Sequence, residues 1–344
     1  MSTLAVKNLE SADNGRWDEF VSKSAAATFF HRAGWRRVLH DAFGHDTHYL
    51  YAERSGIIEG VLPLGRIKSR LFGDALISTP FCVYGGVVAE SREASDALLN
   101  HATALANDMG VDYLEVRNLA SDASDAWPGK SLYVTFRKNI SADVDVNLKA
   151  IPRKQRAMIR KGEQAGLRVQ LEDDTVNFYD IYSQSVRDLG TPVFSRRYFD
   201  VLQKEFGSAC EIITVWQGDL LVAGCLSFYF RNEVVPYYGG GNDVARNVKA
   251  NDYMYWDLMS RAAARGVEIF DYGRSKVDTG SYRFKKHWGF EPKPLNYRYH
   301  LVRARDVPDV SPANPKYQLF VAGWRRMPLI FHRIVGPWLA RSLG

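Results

Sequence analysis

Long apolar runs are missing from this chain of 344 residues. Nowhere does it hold the roughly 18 consecutive apolar residues that a membrane span needs. The opening MSTLAVKNLESADNGRW has no apolar centre, so no signal peptide is read there. Cysteine is scarce: Cys82, Cys210 and Cys225 are scattered, with no metal-ligand spacing and no disulfide framework. That excludes a cysteine-held metal and a disulfide scaffold, and it points to a reducing, cytoplasmic compartment. The cysteines also have no nearby partner in a nucleophile pattern. Acid is absent from residues 310–344, where Lys316, Arg325, Arg326, Arg333 and Arg341 alternate with Trp324, Phe331 and Trp338.

What is present is an ordinary soluble composition, 46% hydrophobic and 24% charged. The length favours two domains over one. A net charge of +6 permits an anionic partner such as a nucleotide sugar, RNA or a membrane surface, without requiring one.

The pattern of elements is α+β. Trp17 to Phe43 reads as helical. HYLYAER and IIEGVLPLGRI read as strands joined at Ser55-Gly56, a hairpin signal. Ser91 caps a helix running to Met109, and VDYLEVRN and SLYVTFRKNI are strands. The second half repeats this order. Val176–Leu189 and Ser195–Phe206 are helical, CEIITVW and LLVAGCLSFYF form a hairpin around Gly218-Asp219, and VVPYYGGG is a strand and turn. A helix over Asn251–Arg265 and a strand, VEIFDYG, follow. GVDYLEVRN (110–118) aligns with GVEIFDYGRS (266–275), which sets Glu115 opposite Asp271, and TFRKN (135–139) resembles RFKKH (283–287). Self-similarity at half the chain length implies a duplicated α/β unit.

Between the halves, IPRKQRAMIRKGEQAGL reads as a helix starting at Pro152 and stopping at Gly166. Its arginines and lysines form either a solvated face or a platform for an acidic ligand. The acid-free tail is either packed on the second domain or an interfacial basic-aromatic segment. The stretch DYGRSKVDTGSYRFKKHWGF (271–290) leaves a buried strand with an acid and returns with cations, as a site for an anion or oxyanion would.

Four pieces carry a resemblance: YYGGGN (237–242), NDYMYWDLMSRAAARGVEIFDYGRS (251–275), YRFKKHWGF (282–290) and SVRDLGTPVFSRRYF (185–199). In them the chain resembles the FemABX superfamily of tandem GNAT-like acyltransferases. It is most similar to the FemAB-like proteins of exosortase and exopolysaccharide gene clusters. FFHRAGWRRVL and YGGVV extend the likeness into the first half. The resemblance implies two tandem GNAT-like domains with mixed sheets, 1–150 and 151–310, followed by a basic aromatic helical tail, 311–344. It implies acyl or aminoacyl transfer to an amine of a saccharide or cell-envelope precursor, with no cofactor and with aminoacyl-tRNA or acyl-CoA as donor. GNDVARNVKAND lacks the Gly-rich turn on which GNAT enzymes hold the CoA pyrophosphate, which argues against acetyl-CoA. CVYGGVVAE has Gly86 where the peptidoglycan enzymes carry Pro, which argues against a peptidoglycan acceptor.

Acyl transfer needs a donor or cation at the developing oxyanion, worth roughly 10²–10³ in rate. Lys285 is the candidate, against the alternative of a solvated lysine pair with Lys286. Asp271 either takes the amine proton or orients Lys285 or Arg274, or it caps its own loop. By resemblance Arg187 and Tyr238 contact the acceptor, and Arg274 and Tyr84 join the substrate-binding set. Arg37, beside Trp35, is a stacking candidate for nucleotide or sugar. With no nucleophile pattern, direct attack by the acceptor amine is the simpler mechanism. No metal is expected. The partners are the precursor acceptor, possible tRNA and an anionic membrane at its inner surface. The rival reading is a non-catalytic glycan- or RNA-binding module of an assembly pathway.

Overall fold

A computed structural model describes residues 3–119, 123–308 and 315–343. Residues 309–314, where the acid-free tail begins, and the side chain of Lys316 lie outside the described residues. The chain forms two compact units. One holds residues 1–132, 294–310 and 341–344, and the other holds 133–293 and 311–340.

The strands of the first stretch are β1 (Ala5–Asn8), β2 (Thr47–Arg54), β3 (Ile57–Ser69), β4 (Gly73–Ser78), β5 (Val88–Ala89), β6 (Tyr113–Asn118) and β7 (Gly129–Lys130). The middle stretch supplies β8 (Tyr133–Asn139), β9 (Leu167–Glu172), β10 (Cys210–Gln217), β11 (Leu220–Phe230), β12 (Glu233–Gly241), β13 (Ile269–Asp271), β14 (Ser275–Lys276) and β15 (Pro292–Pro294), and β16 (Asn296–Leu301) comes last. The first sheet runs β1-β2-β3-β4-β6-β16-β7, and the second runs β9-β10-β11-β12-β13-β8-β14. In each, one parallel pair (β4 with β6, β12 with β13) lies among antiparallel ones. The two orders correspond strand for strand. Glu115 and Asp271 are each the third residue of their strand, β6 and β13. This is the duplication expected from GVDYLEVRN and GVEIFDYGRS.

The second likeness does not hold. TFRKN lies in β8, whereas RFKKH lies in a helix. The expected boundaries at 150 and 310 also shift. β8 pairs with β13 of the second sheet, and β16 pairs with β6 of the first. Each unit therefore takes its last central strand from beyond its own half of the sequence.

The helices follow their local chemistry. α1 (Asn14–Lys23) and α2 (Gly34–Phe43) replace the single helix expected over 17–43. Thr28 breaks the run: its hydroxyl and backbone amide both meet His31 Nδ1 at 3.0 Å in a capping box. The reversal buries both Trp17 and Trp35. α3 (Arg92–Met109) is capped by Ser91, which accepts from the Ala94 amide at 3.1 Å. It presents Ala94, Leu98, Ala102 and Ala106 to Leu50, Leu62, Leu76 and Leu114.

In the second unit α4 (Val144–Ala150) and the basic α5 (Arg153–Gln164) precede β9. α6 (Val176–Leu189) and α7 (Arg196–Phe206) run as expected. α8 (Asp243–Val248) and α9 (Ala250–Ala264) follow β12, and α10 (Gly280–His287) follows β14. Met254, Leu258 and Ala262 of α9 pack with Val234 and Phe270, and Ile159 of α5 joins the same core. α6 crosses β12 so closely that a Cβ on Gly240 would lie 2.4 Å from Ser185 Cβ. Gly240→Ala is therefore expected to cost about 1–3 kcal/mol of stability, read as a lowered denaturation midpoint. The tail forms α11 (Pro315–Arg325) and α12 (Leu329–Ala340), and no described helix is long and apolar enough to cross a membrane.

Candidate active site

β12 and β13 pair only at Glu233–Ile269 and Val234–Phe270, after which β12 continues to Gly241. Asp271 stands where the two strands part. It is fully buried. Its Oδ1 accepts from the Gly273 amide at 2.7 Å and from Thr135 Oγ1 at 3.3 Å. Its Oδ2 pairs with Arg137 Nη1 at 3.1 Å. Arg137, opposite Asp271 on β8, also grips Glu233 through two contacts of 2.6 and 3.1 Å. One guanidinium thus serves a buried carboxylate, Asp271, and a partly exposed one, Glu233. Burial, and then the charge of Asp271, push the Glu233 carboxyl up to about 8, against the pull of Arg137. A glutamate carboxyl raised toward neutrality in this place is what a proton-transfer site requires.

Lys285 comes to the same turn from α10. Thr279 caps this helix by accepting from the Tyr282 amide at 3.4 Å. Lys285 Nζ donates to the carbonyls of Tyr272, Gly273 and Arg274 at 2.7, 3.0 and 3.0 Å. Burial lowers its ammonium to about 7, while Asp271 raises it and Arg274 lowers it further. Only the charged form has three protons for three carbonyls, so the turn itself favours the ammonium. Lys286 is exposed and lies 5.7 Å from the Tyr282 ring centre. Arg274 is half-buried, 4.7 Å over the Tyr133 ring. Trp288 fixes the far end of α10, donating to Asp252 Oδ1 at 3.0 Å, an oxygen that also accepts from Gln155 of α5 at 3.1 Å.

The other expected residues stand apart from this group. The Tyr238 hydroxyl meets that of Tyr198 at 2.8 Å, inside a ring cluster with Tyr182, Phe194 and Phe199. Arg187 of α6 donates through Nε and Nη2 to Asp188 Oδ1 at 2.9 and 2.8 Å. No contact joins either to Lys285 or Asp271 among the described residues. Arg37 lines a 350 Å³ cleft of the first unit with His40, His45 and Asp46. Tyr84 is buried and lines a 240 Å³ cavity there with His31, Arg117 and Asn118. No group of three metal-ligating side chains occurs among the described residues.

Glu233 and Arg137 were not anticipated. Glu115 offered an echo: it pairs with Arg117 at 2.8 Å, both buried, where the parallel pairing of β4 and β6 ends in the first unit. Beyond β12, the position of a pyrophosphate turn is taken by α8, whose Asn242 cap spends its side chain on the Ala245 amide. Asp243 adds a negative charge at that helix start. Neither feature suits a phosphate.

Residues 152–286 match the family described as Acetyltransferase (GNAT) domain. No curated protein sequence matches this chain significantly. Among solved structures, FemX aligns with a TM-score of 0.67 at 15% identity, covering 92% of this chain and 100% of its own. The C-terminal domain of a protein described as a lysylphosphatidylglycerol synthetase from Agrobacterium fabrum aligns at 0.58 and 13%, covering 84% and 92%. A tandem GNAT protein from the clavulanic acid biosynthesis pathway aligns at 0.55 and 12%, covering 88% and 100%. The chain has the FemABX-like tandem GNAT fold and carries a GNAT domain in its second unit. By that domain it is an acyltransferase.

Proposed function

We propose that this acyltransferase moves an acyl or aminoacyl group to an amine of a saccharide or cell-envelope precursor, as a FemAB-like enzyme of exopolysaccharide or envelope assembly. The observation that carries the reading is the Glu233–Arg137–Asp271 cluster beside Lys285, at the parting of β12 and β13. The acceptor amine attacks the acyl carbonyl directly. A C–N bond forms, the donor's ester or thioester bond breaks, and the amine proton passes to a carboxylate and on to the leaving group. Glu233 is the proton acceptor, because its side chain is 12% exposed whereas Asp271 is sealed and fully engaged. Asp271 is a positioning residue that holds Arg137 and the turn. Lys285 supplies positive charge to the oxyanion, directly or through the turn it holds. Arg274 lies at the same turn, and Arg187, Tyr238, Arg37 and Tyr84 remain proposals for acceptor binding.

Aminoacyl-tRNA is the better-supported donor. The α8 cap opposes a pyrophosphate, and α5 exposes Arg153, Lys154, Arg160 and Lys161 along its solvent face. Acetyl-CoA is expected to bind weakly or not at all, and calorimetry showing micromolar affinity would overturn that. The setting is cytoplasmic, peripheral to the inner membrane surface, where lipid-linked precursors are found. One observation favours the rival, a non-catalytic glycan- or RNA-binding module: all three Lys285 protons are already engaged. Incubation with pooled labelled acyl-CoAs and charged tRNAs, and with amine-bearing saccharide acceptors, tests the two. Transfer from any donor supports the enzyme. RNA or glycan binding without transfer supports the rival.

A further inference from the structure

The polar and apolar sides of α12 are inverted relative to an ordinary surface helix. Its packed side carries small and polar groups, His332, Gly336 and Ala340. His332 Nε2 meets the Thr191 carbonyl at 3.1 Å. A Cβ on Gly336 would lie 3.0 Å from Val193. Arg333 donates to Ser183 Oγ at 2.9 Å and pairs with Asp180. Its solvent side is apolar: Ile330, Phe331, Ile334, Val335 and Trp338 are 66, 56, 67, 39 and 61% exposed. Their spacing places all of them on one helix face. Contiguous apolar side chains of this size on a soluble surface mark a contact surface.

The charge around the ridge says what it meets. Arg325 and Arg326, just before α12, are exposed. No acid occurs from 310 to 344. A second copy of the chain would bring these arginines against their own kind across a two-fold contact. An anionic surface would not. At about 1.5 Å per residue, α12 is roughly 18 Å long, short of the ~30 Å hydrocarbon core, so it suits the plane of an interface.

We propose that the outer face of α12 docks on a bilayer containing anionic phospholipid. Ile330, Phe331, Ile334, Val335 and Trp338 enter the headgroup–acyl boundary, and Arg325 and Arg326 lie against lipid phosphates. This proposal stands whether or not the chain transfers an acyl group.

The test is co-sedimentation of the full chain with vesicles of phosphatidylcholine alone or mixed with phosphatidylglycerol. Binding is expected to the mixed vesicles and to weaken with salt. Ile334→Ser with Trp338→Ser is expected to lower partitioning about tenfold or more, and Arg325→Gln with Arg326→Gln to remove the salt-sensitive part. Both pairs lie on exposed positions, and unchanged thermal unfolding confirms that they fold. Equal partitioning of wild type and the Ile334→Ser/Trp338→Ser variant overturns the proposal. So does equal binding to neutral and anionic vesicles. A lipid-free dimer that this variant dissociates in sedimentation velocity would assign the face to a second copy instead. Transfer to a water-soluble acceptor by the same variant should be unchanged, which separates this result from failure of the acyltransfer reading.

Discussion

Lys285→Met is expected to lower single-turnover transfer by roughly 10²-fold or more while leaving acceptor affinity little changed. Methionine keeps most of the apolar stem and removes the charge. The same change withdraws donors from the carbonyls of Tyr272, Gly273 and Arg274, so the thermal midpoint should also fall. Lys286 is exposed, and Lys286→Met should alter neither quantity much. The two consequences of Lys285→Met are separable. Transfer measured well below the variant's midpoint counts only folded molecules. A normal rate there, with a lowered midpoint, would make Lys285 an anchor of the turn and remove its catalytic role. Equal small effects of both substitutions on transfer would likewise leave Lys285 with no part in the chemistry.

Position explains which parts of this site were legible in the sequence. The repeated Gly-ended helix and acid-bearing strand were readable because each lies within ten residues of chain, and the sheets bear them out. The Ser91 cap and the Ser55-Gly56 turn, with φ of 51° and 81°, were readable for the same reason. RFKKH misled because four or five residues of mixed aromatic and basic type suit either a strand or a helix. What decided it was Thr279, which caps a helix several residues upstream. The exchange of β8 and β16 between sheets was not legible, since strand pairing across more than 100 residues leaves no local pattern. Glu233 and Arg137 were missed on that account: 96 residues separate them, and neither sits in an unusual sequence context. Tyr238 had the right neighbours in sequence, but its ring is drawn under α6 and α7 by Tyr182, Phe199 and Tyr198.

Glu233→Gln is expected to reduce transfer by roughly 10²-fold and to flatten its pH dependence. A carboxyl raised to about 8 accepts a proton only once ionised, so wild-type turnover should climb relative to the variant as pH rises toward 8, while any loss of charge at Lys285, lowered to about 7, weighs on both proteins alike. Glutamine cannot accept that proton, and the climb should disappear. Stability moves in the opposite direction. The folded state raises Glu233 above its unfolded value, so its contribution is complete below about pH 4.5 and is lost as pH rises through about 8. Relative to Glu233→Gln, the wild type should therefore lose thermal midpoint steadily across that window. Glutamine also keeps one oxygen for Arg137, which leaves the Asp271 pairing in place. A ratio of wild-type to variant rate that is level between pH 5 and pH 9 would assign proton transfer to another group. A stability difference that tracks pH without a matching change in transfer would leave Glu233 as a structural partner of Arg137, with no part in the chemistry.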